Sequence, residues 1–230
     1  MSGSSWWSKL WRALEPEPES VRPPAVLPSE HTCVHEAGHY MAAWLFPGAL
    51  RINELNVNKA TLPDQWNGGL HMTNISKVTS AALIDKMLLT VSAGIVATTI
   101  HTHGSSYVEK YIASFPYNDK LLDSVGGQDD YEMMKTFAQD IAAPNGLDRA
   151  RVIWNAFQTI FVYLMDPVIW EAVKLIAAAL KQHRELRMSH REIEKLLSKK
   201  IGLKKLKVVR EAFVAYRYPL SGEKITRLII

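Results

Sequence analysis

Two histidines and a glutamate, His35, Glu36 and His39, form an HExxH sequence that could bind and use a metal ion. In a helix, side chains four residues apart lie about 5 to 6 Å from one another, so both imidazoles can reach one Zn²⁺ at about 2.0 to 2.1 Å. Glu36 would then lie beside the metal and could act as a general base toward water. The alternative is two structural histidines with an exposed glutamate, but the apolar residues after His39 favour a metal site.

A catalytic zinc site needs a third protein ligand and an open position for water. His31 lies eight residues before His39, about 12 Å away along a helix axis, so the two cannot share one metal. Cys33 falls on a different face of the helix and is predicted to be a small buried residue. His101 and His103 stand next to Gly104, where capping or surface roles are expected. The third ligand is therefore expected from elsewhere in the chain.

The composition is typical of one main folded domain with appendages. The chain has 230 residues, of which 47% are hydrophobic and 22% are charged, and these values argue against a disordered or fibrous protein. One cysteine excludes a disulfide framework and any zinc site made of several thiolates. Any metal site must use histidines and carboxylates, and the cytoplasm is the expected compartment.

The HExxH residues need a helix to position them, and the sequence predicts one from an N-cap at Ser29 to a stop at Pro47-Gly48. Gly38 in its interior costs about 1 kcal/mol relative to alanine, which indicates that another element packs closely there. Residues 51–58 and 68–76 are predicted to form a hairpin or short sheet. Further helices are predicted over residues 79–102, 130–143, 148–165, 167–187 and 189–200. The expected fold class is mainly α (α+β), in a domain that spans residues 29–200.

Two apolar stretches, residues 87–100 and 152–165, are too short for membrane spans and are predicted to be buried helices.

The N-terminal segment is predicted to contain an amphipathic helix and a linker. Residues 4–14 place tryptophans and leucines at helical spacing, before a proline-rich linker over residues 15–28. This amphipathic helix fits a membrane surface, a groove in a partner protein, or packing on its own domain, and the three readings stay open.

The C-terminal part of the chain is strongly basic, with 11 Lys/Arg against 3 Asp/Glu in residues 181–210. No aromatic residues are interleaved with these cations, so a solvated helical face is favoured over a nucleic-acid surface. Residues 201–230 are predicted to form a basic extension with a terminal β-hairpin around Ser221-Gly222.

The segment HTCVHEAGHYMAAWLFPGA, residues 31–49, resembles the zinc-binding helix of the FtsH-like peptidases. The resemblance extends over about residues 30–198. Residues 67–72 (NGGLHM) are similar to the family's strand along the active cleft, which implies that Gly68, Gly69 and Leu70 bind substrate. Residues 92–97 (SAGIVA) stand where the family has a helix with a Gly-Gly-Arg-Ala-Ala-Glu signature, which is lost here.

The third zinc ligand also comes from this resemblance. Residues 126–131 (GGQDDY) are similar to a family segment that opens a helix and supplies that ligand, which maps onto Asp130. Asp129 stands where the family has an asparagine and is the reserve ligand, and Glu132 is a further alternative.

The resemblance implies a zinc endopeptidase that cleaves unstructured or recruited polypeptides. No GxxxxGK[ST] phosphate loop occurs in these residues, so the expected activity is independent of ATP. The alternative is a catalytically latent FtsH-like domain that keeps zinc for stability and binds or regulates other proteins. The expected partners are the polypeptide substrate, a recruiting or activating protein, and a membrane surface contacted through residues 4–14.

Overall fold

The computed structural model describes residues 29–59, 66–74, 80–108 and 128–217. These residues are mainly helical with one small antiparallel sheet, which confirms the expected α+β class. The helices are α1 (Glu30–Ala43), α2 (Ser80–His103), α3 (Gln128–Asn145), α4 (Arg149–Leu164), α5 (Pro167–Gln182), α6 (His190–Lys200) and α7 (Leu203–Arg217). The strands are β1 (Leu50–Lys59), β2 (Trp66–Asn74) and β3 (Arg187–Ser189).

Helix α1, which carries the HExxH residues, lies at the centre of the fold. The Ser29 hydroxyl caps it by accepting a hydrogen bond from the Thr32 backbone N–H at 3.1 Å. Nearly every side chain after His35 in this helix is buried, because α1 packs against α2, α5 and the sheet. A helix covered on all sides holds its side chains in fixed positions, as a metal site requires.

Gly38 allows α1 and α2 to approach each other closely. A Cβ atom at this position would lie 2.6 Å from the Ala93 carbonyl oxygen and 2.7 Å from the Ala97 Cβ. Real side chains essentially never make such contacts, so any residue larger than glycine would push the helices apart. The close packing expected at this turn is therefore present, and it brings α2 against the two histidines.

The sheet has the strand order β2-β1-β3, with both neighbouring pairs antiparallel. The pairing of β1 with β2 sets Leu55 opposite Leu70 and Val57 opposite Gly68. Both Leu55 and Val57 are buried against the helices. Strand β2 is thus an edge of the described sheet, and it packs against α1.

Local sequence signals mark where three of the other helices begin. Asp148 and Asp166 cap α4 and α5, and Ser189 forms a capping box with Glu192 at the start of α6. Residues Leu83–His103 of α2 are long and apolar enough to cross a membrane by length and composition alone. This helix is mostly buried in the protein, in contact with α1, α3 and α4.

Two predictions about the C-terminal third were wrong. The helix predicted over residues 167–187 ends at Gln182, and the chain then turns into β3, which pairs with β1 through Met188 opposite Leu55. Met188 is 6% exposed, so burial against the sheet outweighs the helical pattern of the segment.

The first arm of the predicted terminal hairpin lies instead in helix α7. Leu206 is fully buried, and the Phe213 ring packs 4.9 Å from the Tyr163 ring. The seven-residue spacing between Leu206 and Phe213 places both on one helical face, so the helix can bury them together. The folded unit therefore extends past residue 200. Residues 1–28 and 218–230, with the predictions made for them, lie outside the described residues.

Candidate metal centre

Helices α1 and α3 bring His35, His39 and Asp130 together. The Asp130 Oδ2 atom lies 2.6 Å from His35 Nε2 and 3.1 Å from His39 Nε2. One ligand atom from each residue lies within 4.8 Å of the others, so this group can hold a metal ion. The two imidazole rings are nearly perpendicular, at 87°, and their nitrogens converge on the same point.

Helix α2 fixes the orientation of both histidines through their other ring nitrogens. His39 Nδ1–H donates to the Thr90 carbonyl oxygen at 2.8 Å. The Thr98 hydroxyl donates its single hydrogen to the Gly94 carbonyl oxygen at 3.0 Å, and its oxygen therefore accepts from His35 Nδ1–H at 3.2 Å. With both Nδ1 atoms held as donors, both Nε2 atoms face the centre, where a metal ion can bind them once any Nε2 proton has left.

The centre is electrostatically arranged to receive a cation. Burial by itself lowers the pKa of His39, but the charge of Asp130 and the hydrogen bond to it have the larger combined effect and raise the pKa to about 9. Burial raises the pKa of Asp130, but His39 and His35 outweigh this effect and hold the pKa below its usual range. The Asp130 carboxylate thus stabilises positive charge at the imidazole nitrogens, which a proton can supply and which a bound metal ion could supply in its place.

Gly94 is the point where the α2 backbone passes directly beneath the two histidines. A Cβ atom on Gly94 would lie 2.5 Å from His39 Nε2 and 2.6 Å from His35 Nε2. No side chain fits in this space, so glycine is required there. Gly94, Thr90 and Thr98 were not among the residues predicted for the site. The three residues recur every four positions in an apolar helix, which places them on one face, and this pattern could have indicated that they line the site.

Glu36 is buried beside the ligand group, with 4% of its surface exposed. Its Oε2 atom accepts no hydrogen bond from any residue that the structure describes. Burial raises the pKa of this carboxyl group, and the nearby charges of His39 and His35 oppose that shift. A buried carboxylate oxygen without a donor is costly, and a functional role is one explanation for such an arrangement.

The three residues predicted to bind substrate lie on β2, and one of them contacts Glu36. A Cβ atom on Gly68 would overlap the Glu36 side chain, so the strand passes immediately over this carboxylate. Gly69 is directed instead toward Asn56 and His71, as expected because neighbouring strand residues face opposite sides. Leu70 is half-buried and packs against the core.

The other candidate ligands lie away from the centre. Asp129 is exposed, and Glu132 is exposed and pairs with Lys135. Neither belongs to the ligand group. Cys33 is fully buried, as predicted, and burial raises the pKa of its thiol to about 11.

The three other histidines considered from the sequence, His31, His101 and His103, are outside the ligand group and form contacts of their own. His31 packs edge-on against His101, and its Nδ1 atom lies 3.1 Å from the Thr102 hydroxyl. His103 is exposed and packs against Tyr107. The expected surface roles of His101 and His103 agree with these positions.

We expect Thr98→Val to lower the affinity for the metal about 10-fold or more, because His35 Nδ1–H loses the acceptor that orients the ring. The matched control is Thr99→Val, since Thr99 is also buried and its hydroxyl donates to the Ile95 carbonyl oxygen. Competition with a metal chelator measures both affinities. Equal affinities for the two variants would show that Thr98 does not position His35.

Comparison with known proteins supplies no family for this chain. The sequence matches no protein-family model and no curated protein. The FtsH-like resemblance of the HEAGH helix therefore stays a prediction, and the geometry of the centre carries the functional assignment.

Proposed function

We propose that the chain is a zinc-dependent endopeptidase that cleaves unstructured polypeptide without ATP, as its resemblance to FtsH-like peptidases implies. The observation that carries this proposal is the position of Glu36. Its carboxylate is buried beside the His35, His39 and Asp130 group, lies under an edge strand, and has an oxygen without a described hydrogen-bond donor. A site that bound metal only for stability would have no use for this carboxylate.

The donor set suits zinc in a catalytic role. Two imidazole nitrogens and one carboxylate oxygen are ligands that zinc accepts, and three protein ligands leave a position open. When bound, zinc supplies the Lewis acidity that polarises a peptide carbonyl and makes a neighbouring water more acidic.

Glu36 then performs the proton transfers of peptide hydrolysis. Its free carboxylate oxygen accepts a proton from the attacking water and passes that proton to the amine that leaves. The close fit of Gly68 over its side chain holds the carboxylate in one place. Such positioning is what makes a general base effective.

Strand β2 is the proposed guide for the substrate. It forms an edge of the described sheet and crosses directly above Glu36 at Gly68. An extended polypeptide that paired with this edge would place its backbone beside the proposed base. Backbone pairing binds many sequences equally, which suits unstructured substrates of varied sequence.

Glu36→Gln tests the proposal. We expect it to reduce cleavage of an unfolded protein, such as reduced and alkylated casein, by about 10² to 10⁴-fold, because the amide cannot accept a proton. Zinc content should not change, since Glu36 is not one of the three ligands. Gel electrophoresis of the substrate and elemental analysis of the purified proteins measure the two quantities.

Two outcomes would overturn the endopeptidase assignment. Equal cleavage by wild type and Glu36→Gln would remove Glu36 as the base and would point to a contaminating protease. Bound zinc with no cleavage by either protein would favour the latent, protein-binding domain.

A further inference from the structure

A cavity of about 650 Å³ lies at the C-terminal end of α1. It is enclosed by the end of α1, the start of β1, and helices α6 and α7. None of the residues that line it belongs to the metal-ligand group. Its volume lies within the range of pockets that bind small organic molecules.

Four cationic side chains line this cavity: Arg51, Arg191, Lys207 and Arg210. The single carboxylate in the lining, Glu194, lies 3.6 Å from the His190 imidazole. Four Lys/Arg against one Glu give the lining a net charge of +3 with a neutral histidine.

These cations have no acidic partners in the part of the chain that the structure describes. No carboxylate there lies within 4.0 Å of a charged nitrogen of the four side chains, although other surface cations, such as Lys135 and Lys174, are paired. Unpaired like charges around one cavity repel each other, and an anion bound among them would relieve that repulsion.

Arg210 and Trp44 give the cavity a mixed aromatic and cationic wall. The Arg210 guanidinium lies 4.6 Å from the centre of the Trp44 ring, a distance typical of a cation–π contact. The contact holds the guanidinium plane in place, and its N–H groups can still bind two oxygens of one phosphate. Pro47 is exposed and adds apolar surface nearby, against which the organic part of a ligand could pack.

One hydrogen bond joins this cavity to the helix that carries the metal ligands. The Tyr40 hydroxyl lies 2.8 Å from His190 Nδ1, and His190 lines the cavity. Tyr40 follows His39 directly in α1 and is fully buried. A ligand in the cavity would therefore contact a residue that is one hydrogen bond from the HExxH turn.

We propose that this cavity binds a multiply charged, phosphate-bearing organic molecule. A single carboxylate would leave most of the positive charge uncompensated, whereas a diphosphate matches it. The phosphate groups would lie among Arg51, Arg191 and Lys207, and the organic part would lie against Pro47 and the Arg210 guanidinium that covers Trp44. The same phosphate chemistry occurs in soluble nucleotides and in anionic lipid headgroups, and the test separates these two sources.

The test is calorimetric titration of the zinc-loaded chain with pyrophosphate and with ADP, together with sedimentation with phosphatidylcholine vesicles that contain or lack phosphatidylinositol bisphosphate. We expect saturable binding of one ADP per chain that weakens as salt is raised. Arg51→Ala/Lys207→Ala should weaken binding about 10-fold or more, because two charge-assisted contacts are lost. Both side chains are exposed, so the fold should be retained.

The matched control is Lys204→Ala/Lys205→Ala, which removes the same charge from exposed positions of α7 outside the cavity. Binding of phosphatidylinositol bisphosphate vesicles alone, lost in the cavity variant and kept in the control, would assign the phosphates to a lipid headgroup. No saturable binding of any probe, or equal weakening by both double variants, would overturn the proposal.

Discussion

Asp130→Asn is expected to lower zinc affinity at least about 100-fold, because the amide removes the only charged ligand from the centre. Asp130 Oδ2 lies within 3.1 Å of both histidine Nε2 atoms, whereas the neighbouring acidic residues of α3, Asp129 and Glu132, are exposed and outside the ligand group. Cleavage of unfolded protein should fall in parallel, since the proposed chemistry needs the metal. Chelator competition and a protease assay on the same preparations measure both effects.

Asp129→Asn is the control for this experiment, because it makes the same chemical change one residue away at an exposed position. We expect it to keep wild-type affinity and activity. Circular dichroism spectra of both variants show whether α3 is retained. A larger loss of zinc in Asp129→Asn than in Asp130→Asn would make Asp129 the ligand and would contradict the geometry of the centre.

The local part of the candidate site could be predicted from sequence because helical periodicity determines it. The four-residue spacing of His35 and His39 places both imidazoles on one face of any helix that contains them. Ser29 marks where that helix begins, whereas the helix ends at Ala43, before the predicted stop at Pro47-Gly48. Glu36 follows from the same pattern, and no tertiary information was needed for these three residues.

The rest of the centre depends on tertiary contacts that periodicity does not encode. Asp130 lies 95 residues after His35, and only the resemblance to a family indicated it. Thr90 and Thr98 hydrogen-bond the histidines, and Gly94 lies beside them, because the close packing at Gly38 brings one face of α2 against the two imidazoles. The cost of Gly38 in a helix predicts that another element packs closely there, but the local pattern does not identify which element it is.

The errors near the C-terminus have a similar origin. The segment VVREAFVAYR has the β-branched and aromatic residues of a strand, yet it forms part of α7 because Leu206 and Phe213 find partners on other helices. Strand β3 is three residues long and exists through its pairing with β1. In both places, contacts between distant segments outweigh local propensity.

Gly94→Ala is expected to disrupt the metal centre, although alanine ordinarily favours a helix over glycine by about 1 kcal/mol. The added methyl group would collide with both imidazoles, at 2.5 Å from His39 Nε2 and 2.6 Å from His35 Nε2. Either α2 moves away or the histidines leave their positions, and overpacking of this kind costs about 1 to 3 kcal/mol. We therefore expect both zinc affinity and the thermal midpoint of unfolding to fall.

Gly48→Ala is the control for the added methyl group, because a Cβ atom at Gly48 would meet nothing within 4 Å. Its zinc affinity and unfolding midpoint should equal those of wild type. Unfolding of the metal-free proteins separates a steric collision from a loss of bound zinc. A collision with the imidazoles lowers the unfolding midpoint of Gly94→Ala even when zinc is absent, whereas a loss of zinc affinity alone does not. Unchanged zinc affinity in Gly94→Ala would mean that α2 does not lie against the histidines. In that case Thr98 and Thr90, which are also on α2, could not position His35 and His39.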